Sequence, residues 1–312
     1  MNNRPRYKRR RRKKQAKTII IISLCVILVL FVIFMVTGLI LAEKASDNDP
    51  NSNDIQTEED SNQPSQTLKS INAYPLALLE DGSTFVSRIS NLPDEARAVC
   101  VSLNTPKGML LFRSTISSHF PTLEAKGDAS QLSKSTNTLK NDELYSTALL
   151  YMENFFESNS ELINNVYSSI WGAIACEAIE DGINDVLLIP SDAYSDAEKL
   201  CALANQIHLT NEDATIGLAI PDEILNDDDS ENLINVLAGA FDYLAIDATN
   251  VITDDEKSAA EQIDSFVGKY WVQIKYHNMR VILPKGVNAE EQNSFIEAIT
   301  SYNIKNWQIS PN

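Results

Sequence analysis

The sharpest contrast along the chain lies between a long uncharged stretch near its start and the mixed pattern that fills the rest. From Thr18 to Ala42 the sequence reads TIIIISLCVILVLFVIFMVTGLILA, 25 residues without a charge. At about 1.5 Å per residue, a helix of that length crosses the roughly 30 Å hydrocarbon core of a bilayer. A cleaved leader would carry a shorter apolar core, about 7 to 15 residues, ending at a small-x-small site. The one candidate here, Gly38 to Ala42, is interrupted by bulky Leu39, Ile40 and Leu41. A retained transmembrane helix is therefore expected over 18–42. The run that follows, EKASDNDPNSNDIQTEEDSNQPSQT, has no aromatic residue and a single Ile. It offers too little apolar surface to drive folding, so 43–69 is expected to be a disordered acidic and polar stalk.

From about Ser70 the pattern changes to short apolar runs that alternate with helical spacing. RAVCVSL, GMLLF, NDVLLIP, ATIGLAIP, FDYLAID, KYWVQIKY, MRVILP and NWQIS read as strands. TALLYM fits a strand as well, although its neighbours also fit a helix. Helical spacing covers 166–180, 196–207, 231–240, 255–267 and 289–302. Strands alternating with helices of this length imply βα units around a parallel sheet buried on both faces.

An open doubly wound sheet usually carries a Gly-rich phosphate loop after its first strand. None is present, and Gly108 is the only glycine near that strand. The length of 70–312 suits a closed barrel. The fold class is therefore read as α/β, a (β/α)8-type barrel. The six to eight strand candidates leave its completeness open, as well as whether Ser70 to Asp94 closes the barrel or packs outside it.

Charge sets the orientation. Ten of the 26 basic residues, Arg4, Arg6, Lys8 to Lys14 and Lys17, precede the apolar run, and all 43 acidic residues follow it. The positive-inside rule then places the arm 1–17 in the cytoplasm, touching anionic lipid, and 70–312 outside the cell. The part beyond the membrane carries a net charge of about −27, which excludes nucleic acid as a partner. Outside the span, Cys100 and Cys176 sit in apolar runs and read as core residues, and with Cys201 they make an odd number that cannot all pair within the chain. No CxxC or Cys/His pair has metal spacing, and no cofactor or metal is implied.

In a barrel, reactive residues belong at the C-terminal ends of the strands. Reading along the chain, these positions hold Asn104, Glu153, Ser191, Asp192, Asp222, Glu223, Asp247, Lys275 and His277. Paired carboxylates in such a set would suit glycoside hydrolysis, and Asp192, Asp222, Glu223 and Asp247 are the candidate lining of the barrel mouth. Helix capping is the competing role for Asp192 and Asp222. Tyr194, Tyr243 and Trp271 are candidate sugar-stacking rings. Nucleophile-elbow, zinc-helix and P-loop motifs are absent.

The stretch AVCVSLNTPKGMLLFRS resembles the first barrel strand of the glycoside hydrolase-like domain carried by many bacterial cell-surface proteins, and EAIEDGINDVLLIP is similar to a later helix, glycine and strand of that family. The likeness implies a glycosidase-type barrel at the cell surface. The positions where the family carries acids fall on Ser102 and Ile189 here, and its lysine position on Asn104. Neither Ser102 nor Ile189 can protonate a leaving group. A degenerate, inactive copy is thus the expectation, tethered to the membrane and binding a cell-wall glycan or an envelope protein. An active hydrolase using strand-end carboxylates and a structural envelope subunit are the alternatives.

Overall fold

A computed structural model describes residues 72–76, 82–94, 96–118, 124–128, 130–157, 163–254, 256–275 and 277–311. The predicted arm, membrane helix and stalk lie outside these residues. Among the described residues no helix is long and apolar enough to cross a membrane.

Eight parallel strands close into a barrel in strict chain order. The strands are β1 (Asn72–Leu76), β2 (Ala98–Ser102), β3 (Tyr145–Met152), β4 (Asp185–Pro190), β5 (Ile216–Ile220), β6 (Tyr243–Asp247), β7 (Met279–Leu283) and β8 (Trp307–Ile309). The helices are α1 (Gly82–Ile89), α2 (Gln131–Asn141), α3 (Ile170–Glu180), α4 (Ala197–Thr210), α5 (Asp222–Asn226), α6 (Ser230–Ala238), α7 (Ala259–Ile274) and α8 (Ala289–Thr300). The barrel is complete, and the segment before Asp94 supplies its closing element. β1 pairs with β2 on one side and with β8 on the other, through Ala73↔Ala98 and Ala73↔Gln308.

Period-two alternation sorts each strand into two environments. Outward residues such as Val99, Val101, Leu150, Val186, Leu188, Leu218 and Ile246 pack under the helices. Inward residues Ala73, Ala98, Cys100, Leu149, Leu187, Ala219, Tyr243, Ala245 and Ile282 fill the barrel. Both sets are buried, so the strands carry no clean hydrophobic and polar stripe; β5 and β7 are buried at every position. A further cluster, with Val281, Leu283, Phe295 and Ile299, joins the last strands to α7 and α8.

Two expected strands are not strands. KYWVQI lies inside α7, because Ile263, Val267, Tyr270 and Ile274 continue a helical apolar face that the local run of aromatic and branched residues conceals. GMLLF forms a loop whose Leu110 makes only isolated bridges to Asn104 and Ala125. Lys275 therefore caps the C-terminus of α7, and His277 lies in the turn before β7, opposite the end expected for reactive residues. Three helix starts are capped by side chains that the sequence reading did not single out. Asp196 accepts from the Lys199 backbone at 3.1 Å, Asn288 from Glu291 at 2.9 Å, and Ser258 and Glu261 form a reciprocal capping box.

Candidate functional site

The barrel offers two places where polar side chains gather, one at each end. At the C-terminal mouth, inward parity brings up Ser102 on β2, Tyr151 on β3, Ile189 on β4 and Asp247 on β6. Tyr151 and Ile189 are half-buried and pack on the interior cluster. Asp247 is half-buried too, but its Oδ1 accepts from the Thr249 backbone at 2.9 Å and from the Thr249 hydroxyl at 2.6 Å. That carboxylate shapes its own loop.

Asp192 does not cap a helix; Asp196 does that work for α4. Instead Asp192 Oδ2 accepts the Phe156 N–H at 2.7 Å and fastens the loop after β3. Lys199 holds the same loop from below, donating to the carbonyl of Phe155. Burial pulls the Lys199 pKa down, and the Asp192 and Asp196 carboxylates oppose that pull. Asp222 is the first residue of α5 and its side chain lies outside the described part, while Glu223 is exposed on the same helix. The four candidate acids are thus spread over three successive loops, and two of them are engaged with loop backbone.

Glu153, at the end of β3, sits over Gly108. A Cβ at Gly108 would lie 2.7 Å from Glu153 Oε2, and this glycine holds φ +79° in the turn that follows β2. Only glycine combines that backbone with that approach at low cost. Asn104 replaces a ladder partner, with its side-chain amide donating to the Tyr151 carbonyl at 2.7 Å and accepting the Tyr151 N–H at 2.9 Å. It therefore braces the mouth strand that carries Tyr151.

The other gathering place, at the N-terminal floor, escaped sequence reasoning. Arg280 on β7 is 2% exposed and its Nη2 lies 3.2 Å from Asp185 Oδ2 on β4, itself fully buried. Arg280 Nη1 donates to Thr147 on β3 at 3.1 Å and to Gln308 on β8 at 3.2 Å. The Tyr243 hydroxyl on β6 donates to Asp185 Oδ1 at 2.8 Å, and its ring lies 4.0 Å from the guanidinium. Thr147 also donates to Asp185 Oδ2 at 3.0 Å. Gly217 on β5 makes room for the tyrosine, since a Cβ there would fall 2.1 Å from its ring.

Burial is the largest influence and lowers the pKa of Arg280, but the Asp185 carboxylate with Tyr243 and Tyr145 together raise it above its ordinary value, so the guanidinium stays charged. Burial also pushes up Tyr243, with the Asp185 carboxylate adding to the rise. The signal that could have exposed this network is a charge inside a strand otherwise apolar, in MRVILP and at the head of DVLLIP.

Of the candidate stacking rings, Tyr243 is buried in this floor. Trp271 packs on Tyr302 outside the barrel at 5.7 Å between centroids, and Tyr194 stands edge-on to Phe156 beside the loop that Asp192 fastens. Among the described residues, no group of His, Cys, Asp and Glu is arranged to hold a metal ion. Cys100, Cys176 and Cys201 are free thiols, the first two buried.

No family model matches the sequence, and no curated protein does. Solved structures share the barrel. The catalytic domain of a Bacillus sp. GH26 endo-β-1,4-mannanase is 12% identical over 77% of this chain and 76% of its own, with a TM-score of 0.48. A Bacteroides thetaiotaomicron protein assigned as an α-L-fucosidase is 7% identical over 68% of this chain and 75% of its own, with a TM-score of 0.47. An HpcH/HpaI aldolase from Desulfitobacterium hafniense is 9% identical over 77% and 86%, with a TM-score of 0.44. At these TM-scores the likenesses, spread over hydrolases and aldolases, carry no argument about this chain, and the barrel is established by its own strand pairing.

Proposed function

We propose that the chain is a single-pass membrane protein that presents a glycoside hydrolase-like barrel outside the cell, and that the barrel binds a cell-wall glycan without cleaving it. The uncharged run 18–42 and the basic arm before it support the anchor and its orientation. One observation carries the loss of chemistry. The strand ends where the resemblance places acids hold Ser102 and the inward Ile189, while the nearby carboxylates of Asp192 and Asp247 accept hydrogen bonds from loop groups. An acid fixed in that way is a poor proton donor to a departing sugar oxygen. The half-buried Tyr151 ring at the mouth gives a sugar an apolar face to rest on.

The test uses the full-length chain in detergent micelles, mixed with insoluble cell wall and with a soluble glycan array, alongside a reducing-end assay. The expected result is retention on glycan with no release of reducing ends, weakened by Tyr151→Ala. Turnover that Asp192→Asn/Asp247→Asn abolishes would restore the active hydrolase. Absence of both retention and turnover would favour a structural envelope subunit.

A further inference from the structure

We propose that the buried polar network at the barrel floor is a register lock, selecting the one stagger in which the eight strands close. The argument begins with what apolar patterning leaves undecided. A strand with one buried and one wet face fixes its own register, because a slip of one residue turns every apolar side chain to water. Strands buried on both faces lack that penalty. β7 reads Met-Arg-Val-Ile-Leu and β5 Ile-Gly-Leu-Ala-Ile, with all five positions buried in each, and β4 and β6 are buried over their first four. A one-residue slip of β7 would exchange Val281 for Ile282 inside the barrel at little hydrophobic cost.

Arg280 changes that balance. In the observed register it reaches Thr147 on β3, Asp185 on β4 and Gln308 on β8, and it lies over Tyr243 of β6. Slipped by one, it would point outward into the apolar layer to which Phe295 and Ile299 belong, leaving Asp185 as an unpaired buried charge. Both losses fall on charges removed from water, the costliest kind to strand. Tyr243 acts on β5 in the same way by shape: its ring fits against Gly217, and a slip of either strand would set it against Ile216 or Leu218. The network is also not built for greatest stability, because Arg280 Nε and Gln308 Nε2 are buried without a protein acceptor among the described residues. Charge is retained here at a cost, and the property gained is a single closure.

Hydrogen exchange of the full-length chain in detergent micelles, read by mass spectrometry on peptides covering β7 and β8, tests the lock. The wild type should give one mass envelope there. The apolar replacement Asp185→Leu/Arg280→Met should still fold but show a second, faster-exchanging population confined to these strands, in which the Val281 N–H no longer bonds Asn306 O, nor the Ser310 N–H Leu283 O. Arg280→Lys, which keeps the charge, should retain the single envelope. A single native envelope in the apolar double variant would overturn the proposal. Should that variant unfold throughout, Gln308→Leu decides the matter, because it removes one arm of the guanidinium and spares the ion pair. A second population in β8 supports the lock, and native exchange overturns it.

Discussion

The two ends of the barrel hold polar groups in opposite ways. At the floor, side chains from β3, β4, β6, β7 and β8 bond one another across the interior, out of reach of water. At the mouth, each engaged acid serves the backbone of a nearby loop, Asp192 holding Phe156 and Asp247 holding Thr249. In barrels of this kind the C-terminal mouth is where chemistry is placed and the opposite end is where stability is kept. Here the more elaborate polar architecture belongs to the stability end. The difference teaches that a charge inside a strand and a charge after a strand answer different needs, one the closure of the sheet and the other the shape of a loop.

The largest effect that could break this comparison is at the floor. Arg280→Met strands the Asp185 carboxylate in the interior and should lower unfolding free energy by about 3–5 kcal/mol, read as a fall in the urea midpoint. Gly217→Ala drives a methyl toward the Tyr243 ring and should cost about 1–3 kcal/mol, in the same assay, with a loss of tyrosine near-ultraviolet dichroism.

A pH arm sharpens the same end. Burial raises the Cys100 thiol from 9.0 to about 12, with the nearby Arg280 charge opposing the rise. The stability this contributes is fully present below pH 9 and is lost as the unfolded chain ionises above it, by about 1.4 kcal/mol for each unit up to the folded value. Cys100→Ala should flatten part of that decline in denaturation curves taken between pH 8 and 10. A decline that the substitution leaves unaltered would mean that Cys100 is wetter than its surroundings indicate.

At the mouth the effects should be smaller and local. Asp192→Ala should cost about 1–2 kcal/mol and speed exchange of the Phe156 amide while leaving β7 untouched. Asp247→Asn keeps an acceptor for Thr249 and should stay within about 0.5 kcal/mol of wild type. A mouth substitution costing as much as Arg280→Met would reverse the assignment of roles.

Much of the architecture was legible in the residues. Alternating apolar runs and helical spacing announced a parallel βα barrel, while the caps at Asp196, Ser258 and Asn288 emerged only from the structure. β1 was harder to see because NAYPL is short, contains a proline and becomes a strand only when β2 and β8 flank it. KYWVQI misled because its residues favour strands, yet its apolar face continues that of the preceding helix. The acids after the strands were located in sequence, but whether they face a ligand or their own loop depends on backbone bends of a few residues, to which neither composition nor spacing is sensitive.

The sequence by itself determined the alternation of elements, the apolar run and its basic flank, and the absence of acids at Ser102 and Ile189, since each is a local property of residue type and order. Only the tertiary structure decided that Arg280, Asp185, Tyr243, Thr147 and Gln308 form one network. These residues lie on strands separated by as many as 161 positions, from Thr147 to Gln308. Closure of the barrel brings them within hydrogen-bonding distance, and a contact made by closure has no local pattern in the chain to announce it.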